Sequence, residues 1–349
     1  MSEQPLNLLK PALDKPNQSD SRLIDGFNRQ VRYLRLSVTD RCNLRCTYCM
    51  SEDMTFLPKS KVLSIEEMVF VTRAFVELGV EKVRLTGGEP LVRNGVVELA
   101  KQIDDLPGLK ELVMTTNGVL LDKFAAPLFE AGVSRLNISI DSLRATRFEK
   151  LTRFGKLDDV LKGIEAASKT GFKNIKLNAV ILQGENDDEV IELTQFAIDQ
   201  GCDISFIEEM PLGNIDSHDR AVTQLESDSI KSQLEKQFSL LDYQCDDKAA
   251  GPSRYLKIAG TATKVGFISP MSHNFCHSCN RVRLTTEGRL LLCLGNEHSL
   301  DLRKIVRNRP DDLDYLKQRI IKAMSRKPER HFFDPNDITI MRHMNATGG

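Results

Sequence analysis

The chain has 349 residues, 41% hydrophobic and 28% charged, with a formal net charge of −1. Such a length suits one large domain or two, and the composition is that of an ordinary soluble protein. The near-neutral balance offers no basic field for nucleic acid, no apolar run reaches membrane-spanning length, and Glu3, Asp14 and Asp20 argue against an acid-poor transit peptide. The expected location is cytoplasmic, with neither nucleic acid nor membrane as a partner.

Residues 1–30, with Pro5, Pro11 and Pro16 among polar residues, read as an extended or disordered leader. Strand and helix patterns then alternate. The first strand covers 31–38, where Leu34, Leu36 and Val38 face one way and Tyr33, Arg35 and Ser37 the other. A helix starts at Ser64, with Glu67 completing a capping box and Gly79 ending it. Strands follow at 83–86, 112–115, 135–140, 175–182 and 204–208, interleaved with helices at 96–103, 120–131, 157–169 and 187–200. This alternation builds a parallel sheet. Polar residues on one strand face (Arg35, Lys176, Asn178) point to an incomplete barrel with a wet interior, because a closed eight-unit barrel fills its centre with apolar layers.

The rhythm stops near Leu212. A polar stretch at 213–223 precedes a helix at 227–238, strands at 255–258 and 263–267, and two helical patterns within 300–325. The expected division is therefore a leader at 1–30, a partial barrel at 31–224, and a smaller α+β C-terminal domain at 225–349 covering the barrel's open edge.

Eight cysteines are present, and six fall into two groups of three. Three thiols cannot all pair as disulfides, so in a reducing compartment such groups read as metal sites. Cys202 and Cys245 stand apart and read as small buried hydrophobes. Cys42, Cys46 and Cys49 form a C-x-x-x-C-x-x-C run directly after the first strand. A cubane iron–sulfur cluster normally takes four thiolates. Three leave one iron open for a small ligand, as in a catalytic zinc site, whereas a zinc knuckle needs a fourth Cys or His that the flanking residues lack. Thr86-Gly87-Gly88-Glu89-Pro90 follows the second strand. Its glycines permit close backbone approach and its glutamate can accept from an amine, although an ordinary turn has the same composition. Cys276, Cys279 and Cys293 form C-x-x-C-x13-C, with a hairpin through the turn at 285–288 returning Cys293 toward Cys279. A zinc ribbon with His277 as fourth ligand competes here with a second cluster.

The cysteine run with Tyr48 before its last thiol, followed by the Gly-Gly-Glu-Pro turn, resembles the radical S-adenosylmethionine (SAM) superfamily. The resemblance implies a partial (β/α)6 TIM-like barrel and a [4Fe-4S] cluster whose open iron chelates SAM and cleaves it to a 5′-deoxyadenosyl radical. Tyr48, Gly87, Gly88, Glu89, Ser139 and Met210 match its SAM-side positions, although Met210 by itself reads as core. The C-terminal cysteines and the terminal Gly348-Gly349 narrow the likeness, from residue 31 to the end, to the MoaA family of GTP 3′,8-cyclases in molybdenum-cofactor biosynthesis. That likeness implies a second [4Fe-4S] cluster that binds guanine. It also implies GTP contacts at Arg35, Arg84, Thr115, Lys176, Arg281, Val282 and Arg283, and insertion of Gly348 and Gly349 beside the ribose. In the reaction this likeness implies, the radical takes the C3′ hydrogen and the ribose carbon adds to guanine C8. The implied partners are GTP, an electron donor of unspecified kind and the next pathway enzyme, cyclic pyranopterin monophosphate synthase; a homodimer is admitted. Two other readings stand beside this one: a radical SAM peptide-modifying enzyme with an auxiliary cluster, and a non-catalytic metal-binding scaffold.

Overall fold

The computed structural model describes residues 22–213, 215, 218–334 and 340–348. Six strands in parallel form its centre: β1 (Tyr33–Ser37), β2 (Lys82–Thr86), β3 (Glu111–Thr116), β4 (Val133–Ser139), β5 (Asn174–Val180) and β6 (Asp203–Ile207). Between and after them run helices α1 (Ile65–Glu77), α2 (Val96–Asp104), α3 (Leu121–Glu130), α4 (Ala145–Thr152), α5 (Leu157–Thr170) and α6 (Val190–Asp199). Strand alternation decides which side chains enter which layer. Leu34, Leu36, Val83, Leu85, Leu112, Met114, Leu136 and Ile138 are buried in the layer between sheet and helices. Their neighbours Tyr33, Arg35, Lys82, Arg84, Thr115, Arg135, Asn137, Lys176 and Asn178 line the opposite, concave face. The polar interior expected from the sequence is therefore present.

The C-terminal part contributes α7 (Arg220–Thr223), α8 (Ser227–Leu234), β7 (Leu240–Asp242), β8 (Arg254–Ile258), β9 (Lys264–Ile268), β10 (Arg281–Leu284), β11 (Arg289–Leu291) and β12 (Ser299–Asp301). Helices α9 (Leu302–Asn308), α10 (Leu313–Met324) and α11 (Met344–Thr347) complete the chain. Its strands extend the barrel sheet itself, whose order is β12-β11-β10-β1-β2-β3-β4-β5-β6-β9-β8-β7. Strand β10 pairs parallel with β1, and β9 pairs parallel with β6. One C-terminal segment thus lengthens both edges of the barrel. None of the described helices is long and apolar enough to cross a membrane.

Two expectations need correction. The leader lies outside the described residues as far as residue 21, but Leu23, Asp25 and Arg29 are buried against the rest of the chain. Leu23 is buried in the core, its amide donates to Leu78 O at 3.1 Å, and Arg29 ties this segment to the C-terminal loops. Cys202 is buried as expected, but Cys245 is exposed. It sits in the polar run Tyr243–Asp247 between β7 and β8, where no apolar neighbour in the sequence favours burial.

The capping box at α1 is complete. Ser64 Oγ accepts from Glu67 N at 3.1 Å, and Glu67 Oε2 accepts from Ser64 N at 2.8 Å. Ser64→Ala leaves the Glu67 amide without its cap and should cost about 1 kcal/mol. The measurement is a denaturant melt of the metal-free chain. An unchanged midpoint would mean that Arg307, which also grips Glu67 at 2.6 Å, sets the helix start alone.

Candidate active site

Cys42, Cys46 and Cys49 lie on the loop between β1 and α1, none of them in a disulfide. The loop is pinned from two sides. Arg45 N and Thr47 N donate to Thr152 O and Leu151 O at 3.0 and 2.9 Å, so α4 carries one flank. That helix went unread in the sequence, being eight residues long and polar on most positions. On the other flank, Gly88 N donates to Thr39 O at 2.8 Å and Glu89 N to Arg41 O at 2.9 Å. A Cβ on Gly87 would stand 2.4 Å from Thr39 O, and one on Gly88 2.4 Å from Arg41 O. The two glycines therefore let the second-strand turn lie flush against the cysteine loop.

Glu89 is fully buried and accepts from Leu91 N at 3.0 Å, Thr116 Oγ1 at 2.8 Å and Asn117 N at 2.7 Å. Burial pushes its carboxyl up to about 7. A carboxylate has about four acceptor positions, so three internal bonds leave room for one further donor. Tyr48 OH donates to Asp141 Oδ2 at 2.7 Å, and Asp141 Oδ1 accepts from Val180 N at 2.9 Å. Burial raises Asp141 to about 6 and raises Tyr48 well above its usual value, which keeps the phenol protonated as donor. Ser139 ends β4 in register with Asn178 on β5. Met210, just after β6, lines the central cavity.

These loop thiols suit a cluster. Amide donors face Cys42 Sγ, from Leu44 N at 3.4 Å and Asn117 Nδ2 at 3.8 Å, and the Asn345 backbone amide sits against the Cys49 sulfur. Burial pushes Cys42 up to about 11 and Cys49 up to about 12, with Cys46 well above its usual value. Bound iron reverses that ordering, since a coordinating thiol is deprotonated outright. Among the described residues no three Cys, His, Asp or Glu converge tightly enough for one metal ion. A cubane instead accepts its thiolates at separate irons.

The second triad lies at the other end of the strands, since Cys279 precedes Arg281, the partner of Tyr33 at the start of β1, whereas Cys42 follows the end of β1. A 3-10 turn spans Cys276–Ser278, and the antiparallel β10–β11 hairpin, with Leu284 opposite Leu290, returns the chain to Cys293. All three thiols line one cavity of about 670 Å³ inside the barrel, while His277 is exposed and absent from its lining. The histidine therefore makes a poor fourth ligand. This volume falls within the roughly 300–1,000 Å³ of small-molecule sites.

The same cavity takes Arg35, Arg84, Thr115, Lys176, Arg281, Val282 and Arg283 in its walls. Register explains the convergence: Arg35 sits between Arg84 on β2 and Arg283 on β10. Arg84 Nη1 donates to Thr115 Oγ1 at 3.0 Å, and its Nε donates to Tyr33 OH. Burial, with repulsion from neighbouring arginines, pushes Arg35 down to about 10 and Arg283 well below its usual range. A guanidinium keeps its proton in proteins, so this cost appears as affinity for a polyanion. Burial raises Tyr33, but Arg84, Arg35 and Lys82 outweigh it and bring the phenol to about 7.

Tyr33, which alternation places on the Arg35 face, also lines this cavity, and so do Lys82 and Tyr255, which no motif marks. Lys82 is 2% exposed and paired with Glu111 at 2.7 Å and Asp247 at 3.2 Å. A period of two from Arg84 would have found it. Tyr255 accepts from Lys176 Nζ at 3.2 Å, a contact across 79 residues that no local pattern carries.

The tail reaches this cavity. Gly348 O accepts from Arg283 Nη1 and, at 3.3 Å, from Arg35 Nη2. Asn345 Nδ2 donates to Asp40 O at 2.9 Å beside the first cysteine loop. Gly349 lies outside the described residues.

Taken together, an incomplete parallel barrel with three cysteines after its first strand defines a radical SAM protein. The Radical SAM superfamily model matches residues 36–197, and the Molybdenum Cofactor Synthesis C model matches residues 202–333. The chain belongs to the GTP 3′,8-cyclase family. It is 55% identical over 334 residues to the GTP 3′,8-cyclase of Pseudomonas putida (strain W619), covering 95% of this chain and 99% of that one. It is 56% identical over 329 residues to the one from Pseudomonas entomophila (strain L48), covering 94% and 98%. Among solved structures, Streptococcus suis SuiB bound to S-adenosylmethionine superposes with a TM-score of 0.58 at 16% identity, covering 82% of this chain and 66% of that one. A likeness at that identity concerns the fold.

Proposed function

We propose that this chain performs the 3′,8-cyclisation of GTP named for its family, and that it divides the work between two iron–sulfur centres. Cys42, Cys46 and Cys49 hold the first [4Fe-4S] cluster, with Tyr48, Gly87, Gly88, Glu89, Ser139 and Met210 around its SAM. Cys276, Cys279 and Cys293 hold a second cluster that receives guanine. The observation that supports this best is the single cavity walled by the second triad and by the cations of β1, β2, β5 and β10. Buried phosphate needs charge-assisted partners, and Arg35, Lys82, Arg84 and Lys176 supply them for a triphosphate.

When bound, the first cluster and SAM would supply the 5′-deoxyadenosyl radical that takes the C3′ hydrogen; C3′ would then bond to guanine C8 as the C8–N7 double bond opens, and one electron from the donor with a proton at N7 would complete the dihydroguanine product. The chain's own residues orient the nucleotide and exclude water. Arg283 grips the Gly348 carbonyl from β10, and Arg35 grips it from β1, so the tail, ribose and phosphates share one frame. The reading carries with it a one-electron donor, a cytoplasmic location and hand-over of the cyclised nucleotide to the next pathway enzyme. Light scattering of the purified chain tests the homodimer.

The deciding assay is anaerobic incubation with SAM, reductant and each nucleoside triphosphate. The expected result is 5′-deoxyadenosine together with a cyclised product from GTP alone. Turnover of SAM without any nucleotide product from GTP overturns the reading. Within it, Arg283→Lys should keep both clusters but lose roughly 10- to 150-fold in product, the loss of a charge-assisted hydrogen bond of about 1.5–3 kcal/mol. Equal turnover in variant and parent would remove Arg283 from the substrate frame.

A further inference from the structure

Lys327 follows the end of α10 and is 2% exposed. Its ammonium donates to Leu292 O at 2.8 Å, Arg281 O at 3.2 Å and Cys279 Sγ at 3.4 Å. All three donors are thus satisfied. None of the acceptors is a carboxylate, and among the described residues no Asp or Glu forms an ion pair with this lysine. A buried charge is tolerated only when a counter-charge compensates it. The one acceptor able to become an anion is the Cys279 sulfur.

The placement is built from a second direction. Arg29 is 9% exposed, held by Asp25 at 2.7 Å, and donates to Cys276 O at 2.7 Å, Glu329 O at 2.6 Å and Pro328 O at 2.6 Å. One guanidinium therefore clamps the turn carrying Lys327 onto the loop carrying Cys276. The short N-terminal segment and the turn after α10 share a single task, the seating of this ammonium behind the second thiol group.

We propose that Lys327 is a positioning residue for the second cluster, supplying through the Cys279 sulfur the positive charge that holds and tunes a three-thiolate centre. The inference rests on the second-cluster reading above. Three thiolates on a cubane leave a net negative group, and hydrogen bonds to the sulfurs with nearby charge set its potential. A cation there favours uptake of an electron, so its removal shifts the potential downward.

The experiment compares the parent, Lys327→Met and Lys327→Arg after anaerobic reconstitution. Iron content is measured first, followed by an EPR-monitored redox titration of the holoenzyme. The titration is repeated in the full chain with Cys42, Cys46 and Cys49 all changed to Ala, where the second cluster is the sole signal. We expect about eight irons in the parent, a midpoint shifted to lower potential in Lys327→Met, and a midpoint near the parent's in Lys327→Arg. Loss of about four irons in Lys327→Met but not in Lys327→Arg also supports the role, since charge alone then retains the cluster. An unchanged midpoint in Lys327→Met with full iron overturns it, as does equal iron loss in both variants, which would mark a packing role. A parent holding only about four irons fails the second-cluster reading itself, and that outcome is visible before any variant is compared.

Discussion

Cys46→Ala should abolish 5′-deoxyadenosine formation and remove about four of about eight irons. Cys46 is the middle thiol of a loop whose neighbours Arg45 and Thr47 are both hydrogen-bonded to the end of α4, which fixes its place in the loop. Cys202 is buried in the core and Cys245 lies at the cavity, away from this loop. With two thiolates left, the cluster is not retained and no electron reaches SAM. The three C-terminal thiols lie apart from this loop, on the 3-10 turn before β10 and on the loop after β11, so the second group should keep its iron and its GTP affinity. Iron analysis, SAM cleavage and GTP binding on the same preparation check this directly. SAM cleavage that persists at the parent's rate would sink the assignment of the first triad.

Alteration of the tail should be nearly as severe, and for a different reason. Gly348 has φ 78°, in the left-handed region that disfavours a side chain, and a Cβ there would stand 2.4 Å from Thr86 Cγ2. Its carbonyl is the shared acceptor of Arg35 and Arg283. Gly348→Ala should therefore displace both arginines while leaving the cysteine loops untouched. Misplacement of reacting groups by about 1 Å can cost about 100-fold, and we expect at least that loss of cyclised product with full iron content. Deletion of Gly348 and Gly349 should behave alike, with partial recovery on adding a short peptide ending in Gly-Gly. A double variant isolates the steric part: Thr86→Ser removes the methyl that the new Cβ meets, so Gly348→Ala with Thr86→Ser should regain part of the activity. Full cyclisation by the truncated chain would reduce the tail to a passive end.

Much of the architecture was legible because it is written in local periods. Alternation along β1 placed Arg35 and Tyr33 on one face, and the capping box at Ser64 set the start of α1 to the residue. The cysteine spacings and the Gly-Gly-Glu-Pro turn were equally local. The role of the two glycines was only half visible, because their close contact is with Thr39 and Arg41 on another loop, a pairing set by how β1 and β2 lie side by side.

What tertiary structure alone decided is non-local. Strand β10 joins β1 although some 250 residues separate them, and β9 joins β6 at the far edge, so one C-terminal segment completes both sides of the site. Lys327 meets Cys279, and Arg29 meets Cys276 and Pro328, through folding back of chain ends that carry no pattern of their own. A hydrophobic period tells each segment which face to bury, and it can be read from a few neighbouring residues. Which segment then lies beside which depends on packing and on the pairing of buried charges, quantities that belong to the whole chain and to no window of it.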